Sequence, residues 1–364
     1  MSGLHHINGR QLMFIITGGQ VGTAMLALPA ILSREAGQHA WICVLLGAIV
    51  PILNVIIIEK LGSRHLGLNV VQLFQALLGR VLGYAMIIVF IIYLALSAIY
   101  FIDAFARLIQ LFMLPRTPFW ITVLLAMVCI VYAGSKGGQV VGRINETLFF
   151  GLVLSLIAIV IPALYHHDPT NLLPLGELDA RELLRGIFYS IFAFAGTEIL
   201  LVLYSQVDKP EQVKSAALKG VGLSTAAYLI VTICCLLVFG AERMVRYSWP
   251  GVTILKIAQV PVLERLEFYF LAIWVGIVLR RIINVIFSAA LAIAQLFKAE
   301  DKIASIMLLI GAAIFSGSFI SPTVMQYDVL LEYFSIVYLL IGMLLPLLLL
   351  LISWFRKEVF DVGA

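Results

Sequence analysis

Five ionisable residues, Asp103, Arg107, Glu198, Arg280 and Arg281, fall inside long apolar runs of this chain. A charge in such a run is costly and faces either a bundle interior or water, so each is a candidate for function. Depth separates them. Asp103 and Arg107 stand four residues apart, about 30 Å along their run at 1.5 Å per residue, which reads as a solvated structural pair near the membrane surface. Glu198 and Arg280 each lie roughly 15 residues, about 22 Å, from the ends of theirs, deeper in the bilayer. Glu198 needs a partner there, and Arg280 or Arg281 is expected to supply it.

Backbone can also do chemistry where a membrane helix is interrupted. The first apolar run reads Thr17-Gly18-Gly19-Gln20-Val21-Gly22-Thr23-Ala24 and ends at Pro29; the sixth reads Phe192-Ala193-Phe194-Ala195-Gly196-Thr197-Glu198. Glycine loosens a helix, and in lipid every freed N–H and C=O needs another partner. A half-helix N-terminus suits a carboxylate, and half-helix carbonyls suit an ammonium group or a cation. Zwitterionic amino acids match both. The candidate binding set is therefore Gly22, Thr23 and Ala24 with Phe194, Gly196 and Thr197. Phe192, Tyr93, Ser97, Tyr100 and Asn284 are candidate lining. The competing reading is helix packing, because Gly18-x-x-x-Gly22 is also a small-residue association motif.

The elements that must position these groups follow from composition. The 364 residues are 62% hydrophobic and 12% charged, with mean hydropathy +1.08. That is about half the charge of a soluble domain, and it predicts an all-α polytopic membrane protein. Ten spans are expected, at 11–32, 40–59, 81–112, 118–135, 144–165, 183–206, 217–240, 265–297, 303–321 and 332–355. The third and eighth exceed a bilayer and should tilt or project. The two Gly-Thr breaks fall in spans one and six, the matching positions of two five-span halves, 11–165 and 183–356. An odd number of spans per half inserts the second half upside down, and paired breaks in inverted halves point to a midplane site in a single domain.

Thirteen Lys/Arg fall on the side of the N-terminus against eight on the other, which predicts both termini cytoplasmic. The net charge of +4 is spread over short loops and offers no basic patch for nucleic acid. Cys43, Cys129, Cys234 and Cys235 read as apolar packing residues. The polar lead Met1–Arg10 has no small-residue cleavage site after it, so the first helix is expected to remain as an anchor. Neither a nucleophile–base set nor a metal-ligand spacing appears. His5-His6 and His166-His167 read as solvated loop pairs, and no enzyme, cofactor or metal is expected. Two outer connections stand out: 166–182, and 241–264, where residues 252–258 read as a short amphipathic helix, either a surface cover or a lid over an outward vestibule.

An ordered series of short motifs runs nearly end to end. It includes Gln11, Gly22, Leu28-Pro29, Ala36-Gly37-Gln38-His39-Ala40-Trp41, Gly79-Arg80-Val81-Leu82-Gly83 and Leu114-Pro115-Arg116-Thr117-Pro118. It continues with Arg143-Ile144-Asn145-Glu146, Asn171-Leu172-Leu173-Pro174, Phe194-Ala195-Gly196-Thr197-Glu198, Phe239-Gly240, Trp249-Pro250 and Leu263-Glu264-Arg265-Leu266-Glu267. In these the chain resembles the B-subunit permeases of spore nutrient-germinant receptors, a branch of the amino acid/polyamine/organocation transporter superfamily. The resemblance implies a five-plus-five inverted fold with helices one and six discontinuous, as in LeuT-like transporters. It implies the inner membrane of a bacterial endospore and assembly with an A-type membrane subunit and a C-type lipoprotein. The implied role is to bind a small nutrient such as an amino acid and start germination. By position, ligand-binding backbone would fall at Gly22, Thr23 and Ala24 and at Phe194–Glu198. His39 departs from the small polar or acidic residue expected there. The alternatives are an active amino acid transporter coupled to a proton or cation, and an assembly scaffold.

Overall fold

The computed structural model describes residues 7–173, 179–257, 266–320 and 327–355. The His5-His6 pair, Pro174 and Leu263-Glu264-Arg265 lie outside them. Among the described residues the chain is helical apart from one isolated parallel bridge between Ile7 and Val207. Among the described residues, seven runs are long and apolar enough to cross a membrane: Ala24–Arg64, Arg80–Phe112, Gly138–Tyr165, Pro210–Met244, Leu266–Leu296, Glu300–Ile320 and Glu332–Phe355. The segment Phe119–Gly134 is apolar but shorter. Large apolar side chains such as Leu125, Val128, Phe150, Leu154, Leu308 and Leu309 stand exposed around the outside. Such a belt is stable against lipid tails rather than water. The chain is an integral membrane protein.

Span one is two helices, α1 (Gly9–Gln20) and α2 (Ala24–Ala36). Span two is α3 (Ala40–Gly47) and α4 (Ile49–Arg64), joined through Ala48. A helix the sequence reading did not anticipate, α5 (Val70–Leu78), precedes the long α6 (Arg80–Phe112). Asn69 and Gln72 start α5 with a reciprocal capping box, the device that satisfies two of the orphan N–H groups at a helix start. α7 (Phe119–Gly134) and α8 (Gly138–Tyr165) complete the first half of the chain.

Span six is broken between α9 (Ala180–Ala193) and the four-residue α10 (Leu200–Leu203). After it come α11 (Pro210–Met244), α12 (Pro250–Ile257), α13 (Leu266–Leu296) and α14 (Ile303–Gly317). The last run is α15 (Tyr327–Val337), a π-helical turn at Tyr338–Leu344, and α16 (Leu345–Phe355). α12 falls where the amphipathic pattern placed it. Its buried Gly251 packs on Leu26 of α2, so this helix lies over span one.

Burial identifies the centre. Of the apolar window of α13, 72% is buried, against 50% or less in the other candidate spans. α13 packs against α1, α6 and α8, while α1 also lies along α11. The break of span one thus lies against long helices, α8, α11 and α13, where protein can satisfy its loose backbone. Three of the four cysteines are buried, as packing residues should be; Cys129 is the exception, exposed on the outer face of α7.

Candidate functional site

α1 begins at Asn8, whose side chain accepts from the Gln11 N–H at 2.8 Å while Gln11 accepts from the Asn8 N–H at 3.2 Å. Just before it, Ile7 donates its N–H to the Gln206 carbonyl at 2.8 Å and accepts from the Asp208 N–H at 3.0 Å. The start of span one is therefore strapped to the end of span six at one face. α1 stops at Gln20; Val21 is extended, Gly22 and Thr23 turn, and α2 restarts at Ala24. In span six the chain leaves α9 at Phe194, tightens through hydrogen bonds from Phe194 to Ile191 and from Ala195 to Phe192, and turns at Gly196 with φ +131°.

The two breaks meet back to back. A Cβ on Gly196 would fall 2.6 Å from both the carbonyl carbon and the oxygen of Gly19, closer than real Cβ contacts allow. With its positive φ, this position accepts glycine on two independent grounds. On the far side of the first break, a Cβ on Gly22 would lie 2.6 Å from Cδ of Arg281. The small residues of the breaks admit neighbours at main-chain distance, so the packing reading and the broken-helix reading describe one arrangement.

Side chains take up the backbone groups that the breaks release. Arg281 donates Nη1 to the Gln20 carbonyl at 2.6 Å and directs Nη2 to the Ala195 carbonyl at 3.4 Å. The Tyr228 hydroxyl lies 3.0 Å from the Gln20 carbonyl and 2.9 Å from that of Ala193. Gln20 Nε2 donates to the Phe194 carbonyl at 3.0 Å. On the donor side, the Gly196 N–H gives its hydrogen bond to Oε2 of Glu198 at 2.7 Å, and the Tyr93 hydroxyl donates to Oε1 at 2.9 Å. This corrects the expected ion pair. Among the described residues neither Arg280 nor Arg281 contacts Glu198, and Arg281 reaches it only as a longer-range electrostatic neighbour. The reason is local: the Glu198 carboxylate turns back onto the N–H two residues before it, and the Arg281 fork is held by carbonyls.

The other expected site residues divide clearly. Thr197 accepts from Asn54 Nδ2 at 2.9 Å and lies 3.3 Å from the Tyr338 hydroxyl. Asn54 also donates to the Gly342 carbonyl inside the π-helical turn at 2.9 Å. Phe194 packs on Tyr228 with ring centroids 5.0 Å apart. Ser97 is buried on α6 one turn beyond Tyr93. Asn284 pairs with Asn145 and donates to the Ile15 carbonyl at 3.1 Å, bracing α1 below its break. Arg280 is fully buried, and none of its three guanidinium nitrogens finds a hydrogen-bond partner among the described residues.

Thr23, Ala24 and Phe192 do something else: with Tyr100 and Phe101 they floor a cavity of about 740 Å³. Its walls continue through Ala27, Ala30 and Ile31 to a rim at Arg34, Arg107, Gln110, Pro115 and Tyr247-Ser248-Trp249. Thr23 and Arg34 are eleven residues apart on one helix, so the cavity runs about 16 Å from the first break toward the membrane surface. Phe101 separates it from the network: one neighbour of its ring is the Arg281 guanidinium at 4.1 Å, another is the Phe192 ring at 5.9 Å. Asp103 and Arg107 do pair, at 3.0 Å. The pair is solvated only at its arginine end: Asp103 is 2% exposed, whereas the Arg107 side chain at the rim is 31% exposed. The turn before α12 supplies the Trp249 edge of the rim, while α12 itself packs over span one as a cover.

Sequence reasoning missed Gln20, Tyr228, Phe101, Asn54 and Tyr338. Their common signal is a polar or aromatic group at mid-depth of a span. That signal is too frequent in membrane helices to single them out without knowing which faces meet.

A helical membrane bundle with two discontinuous helices crossing at its centre, beneath a cavity that reaches the break, is the architecture of a transporter-type permease. The fold agrees at large with a solved Na+-coupled sialic acid symporter in a substrate-bound outward-open state, at a TM-score of 0.68 and 11% identity over 96% of this chain and 78% of that one. The chain belongs to the spore germination protein family of permeases, whose model matches residues 6–324. It is similar to spore germination protein YndE of Bacillus subtilis, 26% identical over 97% of both chains, and to GerQB of Bacillus cereus, 24% identical over 82% of both. Spore germination protein KB of Bacillus subtilis is 24% identical over 74% of this chain and 73% of its own.

Proposed function

We propose that this chain is the membrane-embedded B-type subunit of a spore nutrient-germinant receptor. A small nutrient, an amino acid as the leading class, enters the cavity from outside and binds against the start of α2. Binding biases the bundle, and the change passes to A-type and C-type partner subunits. The supporting topology has two inverted halves, 11–165 and 183–356, with both termini cytoplasmic, in the inner membrane of the endospore.

One observation carries the reading: the cavity ends on the N-terminus of a helix of thirteen residues, and Arg34 and Arg107 are the only charged residues among its described lining. A helix start presents unpaired N–H groups and a partial positive charge, which fits a carboxylate. Membership of the germination family favours a receptor; the transporter-type fold keeps active uptake as the second reading. Purified protein is heated with a panel of amino acids, and the panel is repeated on Ala27→Trp, which fills the cavity without touching the network. The expected result is a shift in melting temperature for at least one ligand, lost in the variant. No shift with any ligand, or a shift that Ala27→Trp keeps, refutes the site. Accumulation of the same ligand in proteoliposomes would move the reading from receptor to transporter.

A further inference from the structure

The carbonyls at the ends of the two half-helices form the place where a broken-helix protein would hold a free cation. Here that place is taken. Arg281 comes from the most buried helix of the bundle and is itself 1% exposed. Its Nη1 lies 2.6 Å from the Gln20 carbonyl, the last residue of α1, and its Nη2 3.4 Å from that of Ala195, just past the end of α9. The ring of Phe101, 4.1 Å away, covers the guanidinium from the cavity side. Gly22 leaves room for the Arg281 stem, since a Cβ there would sit 2.6 Å from its Cδ.

We infer that Arg281 is a resident cation, bound by the carbonyls of both breaks in place of a free metal or ammonium ion, and that this bundle holds its broken helices together without sodium. The planar fork reaches two carbonyls on different helices at once, which a monatomic ion in the same place would do only by fitting a cage. The fold it shares occurs in a symporter described as Na+-coupled; this chain carries its positive charge on α13. A nutrient bound in the cavity then has the α2 start to recognise its carboxylate, while the half-helix carbonyls are closed to its ammonium group. The resident-cation role holds whether or not a nutrient occupies the cavity, so its failure and that of the receptor reading are separate results.

The test needs the full chain in detergent or nanodiscs. At matched ionic strength the wild-type melting temperature is expected to agree between sodium, potassium and N-methylglucamine chlorides to within about 1 °C, because no specific ion binds the folded state alone. Arg281→Ala is expected to melt lower by roughly 5 °C or more, and millimolar guanidinium, far below denaturing levels, restores part of the loss while leaving wild type unmoved. Selective stabilisation of wild type by sodium overturns the inference, and so does an Arg281→Ala protein that guanidinium does not rescue. If the alanine variant is not recovered, Arg281→Lys and Arg281→Met decide: a tethered ammonium restores folded protein where the uncharged side chain of similar length does not. Equal recovery of the two overturns it.

Discussion

The two breaks use the same Gly-Thr pair and end differently. After Gly22-Thr23 the chain resumes as α2, thirteen residues long, whose Thr23 makes no side-chain cap and whose first residues face the cavity. After Gly196-Thr197 it resumes for only four α-helical residues and a 3-10 turn at Tyr204–Gln206, and the released N–H of Gly196 is taken by the carboxylate of Glu198. The first break thus keeps a helix start without a side-chain cap, where the Met25 and Leu26 N–H groups turn back to the Gly22 and Thr23 carbonyls at 3.1 Å. The second supplies its own anion and is closed by Tyr93, Asn54 and Tyr338 around it. Symmetry in sequence does not mean symmetry in use: the first break borders the cavity of the proposed nutrient site, and the second is closed by its own side chains.

Glycine substitutions should break this comparison most strongly. Gly196→Ala combines an unfavourable positive φ with a Cβ in the Gly19 carbonyl, and is expected to cost about 3 kcal/mol or more. Gly19→Ala places its Cβ 3.4 Å from the Gly196 oxygen and Ile199, ordinary contact, and should cost less than about 1 kcal/mol. Yield of monodisperse protein and melting temperature report both, and equal costs would mean that the second break is no more rigid than the first.

Next in size is Glu198→Gln, which leaves two buried donors with one carbonyl acceptor and should cost about 1–3 kcal/mol. Thr23→Ala at the first break removes no cap and should stay within about 0.5 kcal/mol. Thermal melts of the two variants side by side sharpen the contrast, because only the second break is stitched by a carboxylate.

The neighbouring arginines test which groups belong to the breaks at all. Arg281 is bound by carbonyls of both, while Arg280, one residue earlier, is buried with no hydrogen-bond partner among the described residues. Replacing an unmatched buried charge by an apolar side chain of similar length is often neutral or stabilising. Arg280→Met is therefore expected to hold or raise the melting temperature, by the equivalent of up to about 1 kcal/mol. A marked loss would show that Arg280 is paired in the folded protein and would enlarge the network.

The smallest effect lies in the loop after α8. The Thr170 hydroxyl and N–H donate to Asp168 Oδ1 at 2.6 and 2.9 Å and hold its carboxyl below the usual range. The folded value is lowered, so the contribution is present above the unfolded value, about pH 4, and is lost as pH falls through the folded one. Thr170→Val should flatten the acid limb of the melting curve slightly, by lowering neutral-pH stability a little while leaving stability below the folded value unchanged. A change as large as that of Glu198→Gln would mean that this loop, tied to α11 by the Asp168 N–H on Leu237, governs the second break.

Much of this was legible in the chain. Apolar runs placed the long helices, although α8 and α11 begin six and seven residues before the expected spans, where the helix continues past the apolar stretch. The Gly-Thr pairs located both breaks, since only glycine tolerates the turn at Gly196. The pattern at 252–258 placed α12. The partner of Glu198, the burial of Asp103 and the helix α5 were not legible. Residue depth follows from counting along a helix, whereas the side a residue faces depends on how neighbouring helices rotate.

By itself, then, the sequence determined a helical membrane protein with two interrupted helices and five charges to be accounted for. Hydrophobicity and glycine act locally, so their consequences can be read residue by residue. Only the tertiary structure decided that Arg281 binds carbonyls, that Glu198 serves its own backbone, and that Thr23 and Ala24 face a cavity. Those assignments depend on contacts between residues such as Gln20, Ala195 and Arg281, which lie far apart in the chain and within hydrogen-bond reach in the bundle.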